Sequence, residues 1–341
     1  MSSIGIAVVG AGAWGSQVIR TLASTPGALL RWICDRDPTA RARIGGIYTG
    51  VELAAGLDKA LEDPAVEAVV IAASATEHYQ LARRALKAGR HVLVEKPLAL
   101  RVAEATELNA LAGKARRTLM VGHLLMYDPA IILARTTIES GELGEVLMLH
   151  AQRTNLGTIR RGESAWWSLA PHDVAIALYL MRAAPTEVSA TGAGFVQRGP
   201  GIEDAAFATL RFTDGSLAHL HVSWLDPIKR RALTVVGSRK MLTFEESASQ
   251  QRIKIFDRRA EADGPARGSA PDNVVPVHRG DVYAPPLPVA DPLLVQCGHF
   301  VECVRTGRRP RSDGAQGLAV VRVLEAGQRS IEAGGVPAPV G

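Results

Sequence analysis

Cysteine is scarce in this sequence. Three occur in 341 residues, Cys34, Cys297 and Cys303, an odd number with no Cys-x-x-Cys pair. That argues against a disulfide framework and against a thiolate zinc site. Long apolar runs are also lacking, so no segment is expected to span a bilayer. The start, Met-Ser-Ser-Ile-Gly-Ile-Ala-Val-Val-Gly, has no basic region leading into a cleavable apolar stretch. A soluble, cytoplasmic protein is expected. There is no long basic run and no basic stripe interleaved with aromatics. The net charge of +5 comes from scattered arginines, some in pairs such as Arg83-Arg84, Arg160-Arg161 and Arg230-Arg231. Nucleic acid is therefore not an expected partner, whereas a modestly basic surface suits a phosphate-bearing substrate. The nine histidines are dispersed. His219 and His221 lie two apart on a strand candidate without a nearby cysteine or carboxylate, so no metal site is expected. No repeat of fixed period is present.

What is there fits two domains of ordinary size. The first segment alternates buried-strand and helix patterns. Ile4–Val9, Leu29–Cys34, Val66–Ala72 and His91–Val94 read as parallel strands. Gly15–Ala23, Tyr79–Ala88 and a stretch with Val102, Ala105, Leu108, Leu111 and Ala115 at helical spacing read as helices. This is the pattern of a doubly wound α/β sheet. After about residue 125 the character changes. Glu145–Arg153, Val188–Val196, Asp204–Phe212, Ser216–Trp224, Arg231–Val236 and Lys240–Glu245 are strand candidates, with a hairpin signal at Asp214-Gly215. A helix is expected over His172–Met181, a long loop over 258–290, and closing helices over Asp291–Thr306 and Ala315–Glu332. The expected fold is an α/β chain: a Rossmann domain over 1–122, then a domain over 123–341 built on an open, largely antiparallel sheet and ending in the closing helices.

Gly10-Ala11-Gly12-Ala13-Trp14-Gly15 follows the first strand and opens the first helix. In that position a Gly-x-Gly-x-x-Gly is a dinucleotide fingerprint. Gly10 allows the tight turn, Gly12 lets the backbone approach a pyrophosphate, and Gly15 lets helix and strand pack closely. The helix start, with Ala13 and Trp14, offers free N–H groups to the phosphates. Asp35 ends the second strand, twenty residues after Gly15. A carboxylate there accepts hydrogen bonds from ribose hydroxyls and repels a 2′-phosphate, which favours NAD over NADP. Arg36 beside it works in the opposite sense.

Glu95-Lys96-Pro97 directly follows the His91–Val94 strand, downstream of the glycine turn. With Gly122-His123, Pro129 and the stretch from His299-Phe300 through Pro310, it resembles the glucose–fructose oxidoreductase/inositol dehydrogenase (Gfo/Idh/MocA) family over nearly the whole chain. The resemblance implies a Rossmann domain, a second domain whose open sheet packs on another subunit, and hydride transfer with a nicotinamide. It implies a catalytic pair: the Lys of Glu-Lys-Pro, here Lys96, and a His four residues after an Asp, here His172. Ser168 stands where that Asp is expected. It also implies cofactor contacts from Glu95, Lys96 and Pro97, and from Ser74, Thr76 and His78 in the loop after the third strand. Arg153-Thr154-Asn155-Leu156-Gly157 and Trp167-Ser168-Leu169-Ala170-Pro171-His172-Asp173 resemble the family's sugar-nucleotide branch, which oxidises C3 of UDP-N-acetylglucosamine or of its glucuronate.

Oxidising a secondary alcohol requires a hydride acceptor and a proton acceptor. NAD is the expected hydride acceptor, and Lys96 and His172 are the candidates for the proton. His172 is expected to begin a helix after Pro171, where the helix dipole disfavours a cationic ring. Asp173 would be a first-turn acid. Arg153, Asn155, Ser168 and Tyr127 are substrate candidates, although a packed Tyr127 fits equally. Arg160 and Arg161 suit a diphosphate, or are a solvated pair. Three functions compete: a UDP-sugar dehydrogenase, a polyol or aldose dehydrogenase, and a regulator that senses NAD without turnover. The enzyme readings carry a homo-oligomer, dimer or tetramer, as a further expectation.

Overall fold

A computed structural model describes residues 3–199, 201–261 and 274–341. The chain divides into two units, 1–128 with 290–325, and 129–289 with 326–341.

In the first unit, chain order is β1 (Ile4–Val9), α1 (Ala13–Ser24), β2 (Ala28–Cys34), α2 (Pro38–Gly45), β3 (Glu52–Ala54), α3 (Asp58–Glu62), β4 (Ala68–Ile71), α4 (Ala75–Lys87), β5 (His91–Val94), α5 (Val102–Ala115) and β6 (Leu119–Val121). A short 3-10 turn, Leu124–Tyr127, follows. The six strands are parallel, in the order β3-β2-β1-β4-β5-β6. Every residue of β1 and β4 is buried. That is why these strands read as unbroken apolar runs rather than alternating ones. The order reverses between β1 and β4, which opens a crevice at the carboxyl ends of the strands.

The second unit continues with α6 (Pro129–Glu139), β7 (Val146–Thr154), α7 (Ala165–Met181), β8 (Glu187–Ala193), β9 (Ala205–Arg211), β10 (Leu217–Ser223), β11 (Arg230–Gly237), β12 (Met241–Glu245), β13 (Ile253–Ala260) and β14 (Val277–Tyr283). Next come α8 (Pro292–Thr306), α9 (Gly314–Glu332) and β15 (Ala338–Pro339). Among the described residues the second sheet has nine strands, ordered β14-β13-β12-β11-β7-β10-β9-β8-β15. All its pairs are antiparallel except β7 with β10. Its strands alternate. In β9, Ala206, Ala208 and Leu210 are buried while Phe207 and Arg211 are exposed. The buried set packs under α7, whose Trp166, Val174, Ala175, Ala177 and Leu180 are inaccessible to solvent. The other face carries half-buried and exposed groups such as Met148, His150, His219 and His221.

Three expectations are corrected here. The closing helices do not belong wholly to the second unit: α8 and α9 as far as Glu325 group with the first. The reason is close packing and hydrogen bonding at their junction. Ser312 Oγ donates to Val121 O at 2.7 Å, and a Cβ on Gly317 would lie 2.6 Å from Val121. The stretch expected as a loop over 258–290 contains the end of β13 and all of β14; the part over 262–273 lies outside the described residues. Third, α7 begins at Ala165, not His172. Ser164 caps it by accepting the Trp166 N–H at 3.1 Å, and Trp166 is fully buried. The cap and the buried indole outweigh the hydrogen bond that Pro171 cannot make inside the helix, a defect of about 3 kcal/mol. No helix among the described residues is long and apolar enough to cross a membrane.

Candidate active site

The crevice of the first unit is built around the glycine turn. Gly10 has φ +100°, and a Cβ there would lie 2.5 Å from Ala72 O. A Cβ on Gly15 would meet Gly10 O at 2.1 Å. These two glycines are required by the protein itself. Gly12 differs: nothing lies within 4 Å of its hypothetical Cβ. Its bare backbone faces open space at the N-cap of α1, where no side chain caps the helix and no acid occupies the first turn. Free N–H groups and the dipole are thus left for an anion. Beside the turn is a cavity of about 460 Å³ whose lining includes Gly10, Gly12, Asp35, Arg36, Ser74 and Glu77.

Asp35, just past β2, is held by two backbone donors, Ala11 N–H at 2.6 Å and Asp37 N–H at 2.8 Å. Arg36 pairs with Glu77 at 3.2 Å, which offsets its charge at the cavity edge. Arg43 donates to Ala11 O at 2.6 Å and Arg41 to Asp35 O at 2.6 Å, bracing the turn from α2. No local pattern in the sequence marked these two arginines or Glu77, because they reach the turn from other elements. Ser74 precedes α4, and its hydroxyl lies 3.1 Å from that of Thr76. His78 is not open to a ligand as expected. Its ring is buried between Pro97 O at 2.7 Å and Ala73 O at 3.1 Å. Burial lowers its pKa and the Lys96 charge adds to this, against the pull of the two carbonyls. It braces the Glu95-Lys96-Pro97 turn to α4.

That turn leaves β5 next to the end of β6, with Gly122 N–H donating to Val94 O at 2.7 Å. Lys96 is half-buried there, and the Lys96–Pro97 bond is cis. The Glu95 carboxyl is packed over Gly122, where a Cβ would come within 2.9 Å of it. Burial raises the Glu95 pKa, while the Trp14 ring N–H and the Lys96 charge oppose the rise. His123 follows Gly122 and is buried, with neither ring nitrogen hydrogen-bonded among the described residues. Burial, then Lys96, push its pKa down to about 3. Lys96 thus stands near the His78 and His123 rings, both with lowered pKa, and the Glu95 carboxyl. Gly122-His123 carried the family resemblance, but nothing in the sequence tied it to Lys96. Tyr127 is not a substrate contact in this structure. It is buried, with its hydroxyl 2.9 Å from Ser312 Oγ and Arg311 over its ring.

In the second unit, α7 carries Ser168 and His172, both half-buried and one turn apart. His172 lies two turns into the helix, beyond the reach of the N-terminal dipole invoked for it. Ser168 Oγ lies 3.5 Å from Glu163 Oε2, the long limit of a hydrogen bond. Arg153 is not a loose substrate cation. It is buried and bidentate to Asp173, Nε to Oδ2 at 2.9 Å and Nη2 to Oδ1 at 3.0 Å, with Glu246 at 3.5 Å. Burial raises the Asp173 pKa, and the adjoining Arg153 charge pulls it back. Asp173 is therefore no first-turn acid. The pair pins β7 to the turn of α7 that holds His172. Asn155, just past β7, is half-buried and donates its N–H to Ser223 O at 3.0 Å. Arg160 is exposed and lies 3.6 Å from Glu163. Among the described residues, no group of three His, Cys, Asp or Glu is arranged to hold a metal ion.

An open glycine backbone at a helix start, a carboxylate at the second strand end and a lysine at the fifth define a dinucleotide-dependent oxidoreductase. The comparisons agree. The model described as the oxidoreductase family with NAD-binding Rossmann fold matches residues 4–123, and that of the Gfo/Idh/MocA C-terminal domain matches 131–243. The chain belongs to the Gfo/Idh/MocA family and binds NAD through its first unit. It is similar to scyllo-inositol 2-dehydrogenase (NAD(+)) of Bacillus subtilis strain 168, 26% identical, covering 89% of this chain and 87% of the relative. Its fold also matches a structure described as an oxidoreductase of Magnetospirillum magnetotacticum MS-1, with TM-score 0.80, 30% identity, and 95% and 99% of the two chains covered. A third match is UDP-N-acetylglucosamine 3-dehydrogenase of Acidithiobacillus ferrooxidans, with TM-score 0.79, 22% identity, and 98% and 99% covered.

Proposed function

We propose that the protein oxidises the C3 hydroxyl of a UDP-sugar to the 3-keto sugar, with UDP-N-acetylglucosamine as substrate and its glucuronate as the nearest variant. The observation that carries this reading is the Arg153–Asp173 pair. It joins the two stretches that resemble the sugar-nucleotide branch, Arg153–Gly157 and Trp167–Asp173, into one structural unit. NAD when bound supplies the hydride acceptor. Lys96 takes or shares the hydroxyl proton, and His172 is the second proton-handling group. Glu95, half-buried next to it, orients the lysine turn. Gly12 and the start of α1 hold the cofactor's phosphates, and Asp35 its ribose hydroxyls.

A second reading, a polyol dehydrogenase, is favoured by the likeness to scyllo-inositol 2-dehydrogenase over most of the chain. Ser168, in place of the family's Asp, counts against a site identical to the usual one. The test is NAD reduction with UDP-N-acetylglucosamine, its glucuronate, inositols and free aldoses, coupled to a 3-aminotransferase that traps keto products. A 3-amino UDP-sugar is the expected product. NADH from an inositol alone would move the assignment to the polyol reading. NAD binding without turnover of any of them would leave a sensor. We also propose that the exposed face of the nine-stranded sheet pairs with a second copy. Light scattering at micromolar concentration should show a dimer or tetramer, and a monomer would reject this.

A further inference from the structure

The second unit holds a cavity of about 460 Å³ that the catalytic residues do not line. Its walls include Ile159, Arg161, Val196, Gln197, Arg198 and Ile202. It lies where the segment between β7 and α7 meets the segment that follows β8. The two are tied together. Gly162 N–H donates to Gln197 Oε1 at 2.9 Å, and Gln197 Nε2 to Glu163 O at 3.3 Å. Asp204 then accepts the N–H groups of Phe195, Val196 and Gln197 at 2.8, 2.6 and 3.0 Å. Burial raises the Asp204 pKa, but these donors more than offset it and hold the carboxyl below the usual range.

On this braced cradle Arg161 and Arg198 are exposed, and neither has an ion-pair partner among the described residues. The neighbouring Arg160 does, in Glu163. Two unneutralised guanidinium groups above an apolar floor of Ile159, Val196 and Ile202 suit a nucleoside diphosphate. The forks match phosphate oxygens, and the floor can take a base. His172 lies eight residues beyond the Ser164 cap, about 12 Å along the helix axis. A sugar joined to a diphosphate at the cradle can extend along α7 toward it.

We propose that Arg161 and Arg198 form a diphosphate-binding subsite for the pyrophosphate of a nucleotide-linked substrate. This rests on the nucleotide-sugar reading above. The test uses NAD-saturated enzyme, so that the cofactor's own phosphate site is filled. UDP and inorganic pyrophosphate are titrated by calorimetry into wild type, R161A, R198A and the double variant, with folding followed by circular dichroism. The double variant should lose at least about tenfold in affinity for both. Its KM for UDP-N-acetylglucosamine should rise by a similar factor while kcat holds. Arg211→Ala, which removes a surface charge paired with Glu187, should change neither. Wild type that binds neither probe, or a folded double variant with unchanged affinity and KM, overturns the subsite. If wild type oxidises only free polyols yet binds pyrophosphate through these arginines, the subsite stands and the substrate reading falls. If UDP-sugars are oxidised with the same KM by the double variant, the reverse holds.

Discussion

The two units present ligands with different chemistry. In the first, the candidate cofactor site is largely bare backbone. Gly12 is bare at a helix start, Gly10 and Gly15 fit only because they have no Cβ, and one short loop carries them all. In the second, side chains from distant stretches make the candidate site. Arg153 of β7 meets Asp173 of α7, and Glu246 beyond β12 comes to the same guanidinium. A backbone site is specified over a few consecutive residues. A side-chain site exists only once strands and helix have been assembled, and its charges then serve the fold as much as the ligand. An arginine beside a substrate motif can therefore be a structural member of the site rather than a contact.

The comparison is tested first by the largest expected effect. Lys96→Ala should lower kcat by about 10²–10⁴ while NAD affinity and the unfolding midpoint stay near wild type. Near-normal turnover would remove Lys96 from the chemistry. Next comes Arg153→Ala. Breaking a buried pair leaves Asp173 uncompensated and should cost about 3–5 kcal/mol in urea unfolding. If Arg153 were instead a substrate ligand, KM would rise and stability would hold.

His123, in the first unit, gives a test by pH. Burial holds its folded pKa at about 3, against 6.5 for an unperturbed ring. Above pH 6.5 the ring is neutral in both states and the full stability is present. As pH falls from 6.5 toward 3, the unfolded chain takes up the proton first and stability is lost. At pH 5 that loss is about 2 kcal/mol. The fall between pH 7 and pH 5 should shrink by about this amount in His123→Phe, and an unchanged fall would refute the buried neutral ring. The smallest effect concerns cofactor choice. Asp35→Ala should weaken NAD by roughly tenfold and NADP far less, measured by calorimetry on both. Equal losses would mean that Asp35 serves only the turn through its Ala11 and Asp37 bonds.

Much of the first unit was legible without coordinates. The apolar runs placed β1, β2, β4 and β5; β1 and β4 are buried at every residue and so carry no alternation to misread. The strand β3 and the strand β6 are each three residues long and were not seen, since so short a run has no period. In the second unit the alternation of β7 to β12 is visible, but β14 lies in a stretch whose Pro, Gly and Arg content reads as loop, and none of its residues is buried. Pro171 misled most. A proline near a helix is usually its first residue, and only the Ser164 cap and the buried Trp166 showed that the helix had already begun.

The sequence by itself determined the family, the dinucleotide turn, the NAD-binding fold and the candidates Lys96 and His172. Each is written in neighbouring residues whose types are dictated by backbone geometry or by local chemistry. Only the tertiary structure decided that Arg153 belongs to Asp173, that Tyr127 is packed beneath Arg311, that His78 is a brace, and that Arg161 and Arg198 share one cavity. Those facts depend on which charges are buried together and which are left without a partner. Burial and pairing arise between segments far apart in the chain, so no local pattern records them.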